Sequence, residues 1–236
     1  MATIVNITSW NVTSDGEDLN VANTGWTKNT TAGAYGSGAI KIASASPNTA
    51  WVSAVESAGY LRNETPGSAN QNVRITLKRV GALIVNQRTY VLARATSGGD
   101  DWAGLYVSYD GGSPTIRPMQ CVNNSISSLA GEGNVSGLAS VGDTATLEIR
   151  VSGSAPTISL AAYWNGSLYY TWTITSSVLD PVGKVGWMGT TTAATATTGM
   201  HVTTFFAEDD SSGATGGGPL IGGLVRPILT RGRLVA

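Results

Sequence analysis

Residues 144–175 read TATLEIRVSGSAPTISLAAYWNGSLYYTWTIT, and this stretch decides the fold. Polar and apolar residues alternate from 144 to 152. Ala145, Leu147, Ile149 and Val151 fall on one side, Thr146, Glu148 and Arg150 on the other. That is the period of a strand with one buried face. Gly153-Ser-Ala-Pro156 makes a turn, after which Ile158, Leu160, Ala162 and Trp164 share a face. Asn165-Gly166 breaks the run, and Leu168, Tyr170, Trp172 and Ile174 resume the alternation. An Asn-Gly pair between alternating segments signals a tight hairpin, because a type I′ turn needs positive φ at both central positions. A three-stranded antiparallel meander follows, and its wide apolar face requires a second sheet to cover it.

Outward from the meander the same period recurs. Strands are expected near 4–10, 38–42, 51–52 and 72–80, the last with Val73, Ile75 and Leu77 inward and Arg74, Thr76 and Lys78 outward. Others are expected at 89–95, 102–109, 115–122, 184–189 and 201–207; in the last, Val202 and Phe206 share a face opposite Phe205. Residues 15–31 read as loop, and 123–141 as a long connection holding one short strand. Asp110-Gly-Gly112 marks a hairpin, and Asp180-Pro181 a break that no central strand tolerates. Eleven to thirteen strands at this spacing predict an all-β, two-sheet antiparallel sandwich of the jelly-roll type.

Composition sets the outer limits. In 236 residues the hydrophobic share is 42% and the charged share 12%, enough apolar matter for a core. A net charge of −1 gives no electrostatic case for nucleic acid. No apolar run reaches the roughly 20 residues that span a bilayer, so no membrane partner is expected. Cys121 is alone, which excludes an internal disulfide, and reads as a small apolar strand residue. Residues 1–5 have neither the basic nor the apolar region of a signal peptide, so synthesis in a cytoplasm is expected.

The C-terminus has a different character. Residues 1–210 form the sandwich, and residues 211–218 (SSGATGGG) are a flexible linker by composition. Residues 219–236 carry Leu220, Ile221, Leu224, Val225, Ile228, Leu229, Leu234 and Val235 together with Arg226, Arg231 and Arg233. Burying one such apolar side chain is worth about 1.5–3 kcal/mol, so eight of them favour association. Two prolines and three glycines oppose a helix there. The tail is expected to dock on another subunit, adding a strand to a sheet edge, with the arginines meeting carboxylates or carbonyls. Folding back on its own sandwich is the alternative.

Little in the chain offers catalysis. Jelly-roll glycosidases need two carboxylates facing each other, and no strand carries such a pair. Glu148, with Thr146 and Arg150 at ±2, reads as a solvent-facing residue paired with a neighbour. His201 is the only histidine, no Gly-X-Ser-X-Gly elbow accompanies it, and it reads as a surface or edge residue. No cofactor is expected. Asp100, Asp101, Asp110, Asp209 and Asp210 read as turn formers, with a calcium site as the alternative. Sugar binding would use aromatic platforms beside planar polar groups. Trp102 beside Asp100 and Asp101, with Tyr106 and Tyr109, is the best such cluster; Trp26, Trp51 and Tyr60 are others.

The Asp-Gly-Gly hairpin, LEIRVSG (147–153), YWNG (163–166), GKVGW (183–187) and TTFFAEDD (203–210) carry a family likeness. Residues 4–209 resemble the concanavalin A-like lectin/glucanase jelly roll, more narrowly its laminin-G-like versions in bacteriophage structural proteins. The resemblance implies that the last strand lies beside the first. It also implies a non-enzymatic virion protein, a capsid decoration or tail-associated component. Such a protein would be anchored to other virion proteins through residues 219–236, would form a homo-oligomer, and would display a sandwich able to touch cell-surface glycans. A receptor-binding, lectin-like module of a tail fibre is the alternative.

Overall fold

The computed structural model describes residues 1–12, 14–30, 38–44, 48–53, 57–175, 179, 182–191 and 194–209. Within them lie seventeen strands and one short helix, α1 (Leu19–Ala22). The first strands are β1 (Ala2–Ile7), β2 (Glu17–Asp18), β3 (Trp26–Asn29), β4 (Ile40–Ala43), β5 (Thr49–Val52) and β6 (Ser57–Arg62). Then come β7 (Gln71–Arg79), β8 (Gln87–Ala95), β9 (Trp102–Tyr109), β10 (Thr115–Val122), β11 (Ser125–Ser128) and β12 (Gly133–Asn134). The last are β13 (Thr144–Ser154), β14 (Thr157–Trp164), β15 (Ser167–Thr175), β16 (Lys184–Thr190) and β17 (Met200–Asp209). The expected linker, the tail and Asp210 lie outside the described residues.

Two antiparallel sheets pack face to face. The nine-stranded sheet runs β15-β14-β13-β7-β17-β5-β4-β2, with β1 also pairing β17. The eight-stranded sheet runs β11-β10-β9-β8-β16-β6-β3, with β12 on β10. The first strand thus lies beside the last, as the family likeness implied. The meander forms as read: Asn165 and Gly166 turn at φ 50° and 78°. The Asn165 side chain accepts a 2.8 Å bond from the Thr146 amide, which fastens the hairpin to β13. Ala145, Leu147, Ile149, Val151, Ile158, Leu160, Ala162 and Trp164 all enter the core between the sheets.

Three readings needed correction. Residues 15–31 are not all loop, since β3 pairs with β6, and neither strand had been expected. Both faces of β6 are covered, Ala58 and Tyr60 by one apolar cluster and Leu61 by another, so no period-2 signal existed. The strand count rises accordingly, helped by strands of two to four residues such as β11 and β12. In β17 the register shifts between Val202 and Thr204. That bulge turns Phe205, not Phe206, to the same interior as Val202. A second irregularity, between Ala162 and Tyr163 on the β14–β15 ladder, leaves Leu168 56% exposed while Ile174 stays inside.

Candidate functional site

The five residues expected to hold a sugar do not share one surface. Asp100 and Asp101 are spent on the 96–101 turn. The Thr96 hydroxyl donates to Asp100 Oδ1 at 2.6 Å, and Asp101 Oδ1 accepts the Asn123 amide at 2.7 Å. The turn folds across the outer face of the eight-stranded sheet. Asn29 Nδ2 on β3 donates 2.6 Å to the Gly98 carbonyl, although β3 stands three strands from β8. Trp102 lies flat along β9, so close to Gly104 that a Cβ there would sit 2.9 Å from its ring. Its side chain is completely buried among Leu92, Tyr90, Met119 and Cys121 and presents no face to a ligand. Tyr109 turns the other way and packs on the inter-sheet core.

Tyr106 is buried except for its edge, where the hydroxyl donates 2.5 Å to Glu132 Oε1. Arg117 reaches the same carboxylate at 3.4 Å, and the Arg88 guanidinium lies 5.4 Å from the Tyr106 ring centroid. Burial, then the bond to Glu132, holds the phenol above its ordinary range. Glu132 thus answers the Tyr106 hydroxyl and Arg117, while Arg88 lies against the Tyr106 ring. Trp26, Trp51 and Tyr60 are likewise core residues.

The outer face of the nine-stranded sheet is different. Antiparallel register sets Glu148 of β13 opposite Arg74 of β7, and Arg74 opposite Phe206 of β17. Glu148 also faces Tyr163 of β14. The Arg150 Nε donates 2.5 Å to Glu148 Oε1, and Arg74 approaches Oε2 at 4.0 Å. Each guanidinium lies over an aromatic ring, Arg150 4.1 Å from Tyr163 and Arg74 4.8 Å from Phe206. Glu148 is therefore paired, as expected, yet only 4% exposed beneath its two partners. The arginine side chains remain 49% and 43% exposed. Planar groups pinned in this way lose little freedom when a ligand arrives.

Three open hollows meet around these residues. One of about 400 Å³ lies over β13, β14 and β15, lined by Arg150, Ser152, Ser159, Thr171, Trp172 and Thr173 among others. A second, about 380 Å³, is bordered by Arg74, Glu148, Thr76, Thr204 and Phe206. A third, about 230 Å³, holds Arg150, Asn72, Glu208 and Asp209. Sequence alternation put Arg74 and Arg150 on outer faces. It could not bring them together, because 76 positions separate them and only sheet order makes them neighbours.

His201 corrects the surface reading. It is fully buried, stacks on Trp51, and lies beneath the 195–198 turn. The 195–198 turn and the Trp51 ring cover it, although it stands on a strand. Burial lowers its pKa. Cys121 is buried as expected, and the same cause pushes its thiol up to about 11. Among the described residues no three His, Cys, Asp or Glu side chains come together as a metal site.

With this geometry the chain can be set beside known proteins. Neither a protein-family model nor a curated protein matches it. Solved structures do. The CBM2 module of the evolved Dit of Lactobacillus casei BL23 phage J-1 aligns at 13% identity and TM-score 0.52, covering 87% of this chain and 94% of that one. Alginate lyase Aly36B aligns at 11% and 0.54, over 87% and 96%. A legume lectin-like domain from Entamoeba histolytica aligns at 11% and 0.51, over 78% and 90%. At such identities the likeness is one of fold, and the fold is the concanavalin A-like jelly roll.

Proposed function

We propose that this chain is a non-enzymatic carbohydrate-binding domain carried on a bacteriophage particle, with its binding surface on the outer face of the nine-stranded sheet. The observation that carries the reading is the Arg74–Glu148–Arg150 row. It sets guanidinium donors in fixed orientations among Ser and Thr hydroxyls, at the meeting point of three open hollows. Sugars are bound by such planar donors together with hydroxyls, which Ser152, Ser159, Thr171 and Thr173 supply around the hollow beside Arg150. Glu148 lies between two arginines, an arrangement that suits holding them in place. The phage placement is supported by the fold shared with a module of a phage Dit and by the apolar, arginine-bearing character of residues 219–236.

The test is a glycan array probed with the full chain, followed by titration of each hit against Arg74→Ala and Arg150→Ala. Binding that weakens in both variants supports the reading. An array with no hits, or hits indifferent to both changes, overturns it.

A further inference from the structure

We infer that the 400 Å³ groove beside Arg150 takes a uronic acid unit, the sugar carboxylate meeting the guanidinium and the ring hydroxyls meeting the groove floor. The inference rests on the glycan-binding reading and narrows it to acidic polysaccharides.

Three observations carry it. Arg150 uses Nε on Glu148, while its two terminal nitrogens, with four N–H donors, have no partner among the described residues. A fork of donors in one plane matches a carboxylate bidentately. Second, Arg74 and Arg150 share a single carboxylate, so the row holds one positive charge in surplus. An anionic ligand neutralises that charge; a neutral sugar does not. Third, the two hollows that Arg150 borders differ in charge balance. Glu208 and Asp209 line the smaller one and offset the positive charges of Arg150 and the Met1 amine there. In the larger one Arg150 is the only charged residue, and the remainder of its polar lining is Ser152, Ser159, Thr171 and Thr173. The anion is thereby directed to the hydroxyl-lined side.

Affinity electrophoresis of the full chain tests this in gels containing polygalacturonate, a neutral β-glucan, dextran sulfate or single-stranded DNA. Retardation is expected in polygalacturonate and weaker or absent in the neutral glucan. Arg150→Ala should lower the affinity about tenfold or more, and Arg150→Lys should recover only part of it, since a point charge lacks the fork. Thr173→Glu leaves the Arg150–Glu148 pair intact, places a repelling charge on the groove wall, and should abolish retardation. Thr173→Lys should retain it. Retardation by the neutral glucan alone overturns this inference and leaves the broader reading standing, whereas no retardation by any glycan overturns both. Equal retardation by DNA or dextran sulfate, or binding unchanged in Thr173→Glu, shows a general polyanion effect and also overturns the inference.

Discussion

His201 stacks on Trp51 with ring centroids 5.6 Å apart and planes 14° from parallel. Its Nε2 points at the carbonyls of Thr195 and Thr198, at 2.9 and 3.1 Å, so Nε2 carries the proton. Nδ1 then accepts from the Thr49 hydroxyl at 2.7 Å. A second proton on Nδ1 would face a donor that must rotate away, inside a buried site. Burial accordingly lowers the folded-state pKa below 6.5. The unfolded chain takes up the proton first as the pH falls. Stability is therefore full above about pH 6.5 and declines below it, with a slope of at most about 1.4 kcal/mol per pH unit, until the folded-state pKa is passed. This is the only histidine in the chain, so the slope around pH 6 is chiefly its own, before the carboxylates begin to titrate. Chemical denaturation across that range should show the decline, and His201→Gln should flatten it. A wild-type profile already flat there would contradict the assignment.

Glu148 is predicted to matter for stability more than its outer-face position suggests. Glu148→Ala removes the shared partner of Arg74 and Arg150 and leaves two like charges on adjacent strands. Because both arginines are nearly half exposed, water screens much of that repulsion, and a loss of about 1–2 kcal/mol is expected. Glu148→Gln keeps one acceptor and should cost less. Urea midpoints of the two variants decide the order, and an unchanged midpoint in Glu148→Ala would show the row to be incidental.

The GKVGW motif has a steric meaning that a substitution can expose. A Cβ on Gly186 would lie 2.3 Å from the Tyr60 carbonyl oxygen on the neighbouring strand. Neither backbone can retreat without breaking the β16–β6 ladder. Gly186→Ala should therefore destabilise by about 1–3 kcal/mol, or more if the ladder parts. Gly166→Ala is the contrast: space is open at that position, and only its φ of 78° opposes a side chain. Thermal melts should rank Gly186→Ala well below Gly166→Ala.

How far the sequence could be read follows from these same residues. Strands with one wet face were legible: Leu147, Ile149 and Val151 alternate with Glu148, Arg150 and Ser152, and the structure obeys them. Burial of a strand's second face was not: β6 went unread, and Trp102 and Tyr106, in a strand that was read, are 0–1% exposed. An aromatic beside two aspartates resembles a sugar platform on paper; Trp102 is buried by Tyr90, Leu92, Met119 and Cys121, which only the pairing of β8, β9 and β10 brings around it. Bulges deceived the reading at Phe205, because one inserted residue exchanges inner and outer faces. The Arg74–Glu148–Arg150 row was hidden for a related reason. Each member was placed on the correct face, while the pairing of β7 with β13 is a fact of topology alone.

Trp102 was the strongest aromatic candidate for ligand contact, and its burial predicts the opposite phenotype. Trp102→Ala would open a cavity beneath the 96–101 turn, among Tyr90, Leu92, Met119 and Cys121. A cost of about 3–5 kcal/mol is expected, with any weakening of glycan binding following the loss of folded protein. Binding measured at a temperature where the variant remains folded should match wild type. A folded variant that had lost binding would return Trp102 to the site.

Deleting residues 219–236 separates the body of the protein from its C-terminal segment. The last described strand, β17, is held by β7, β1 and β5. It finishes at Asp209, whose Oδ2 accepts the Gly67 amide at 2.5 Å. The inter-sheet core already draws on residues from Val5 to Ala207. The truncated chain should therefore keep its near-UV dichroism and most of its melting temperature. The eight apolar side chains of the segment are each worth about 1.5–3 kcal/mol on burial, and association is the role proposed for them. Light scattering should then show a lower mass for the truncated protein than for the full chain at equal concentration. Collapse of the near-UV signal on truncation would instead place the segment on its own sandwich, and an unchanged mass would remove it from assembly altogether.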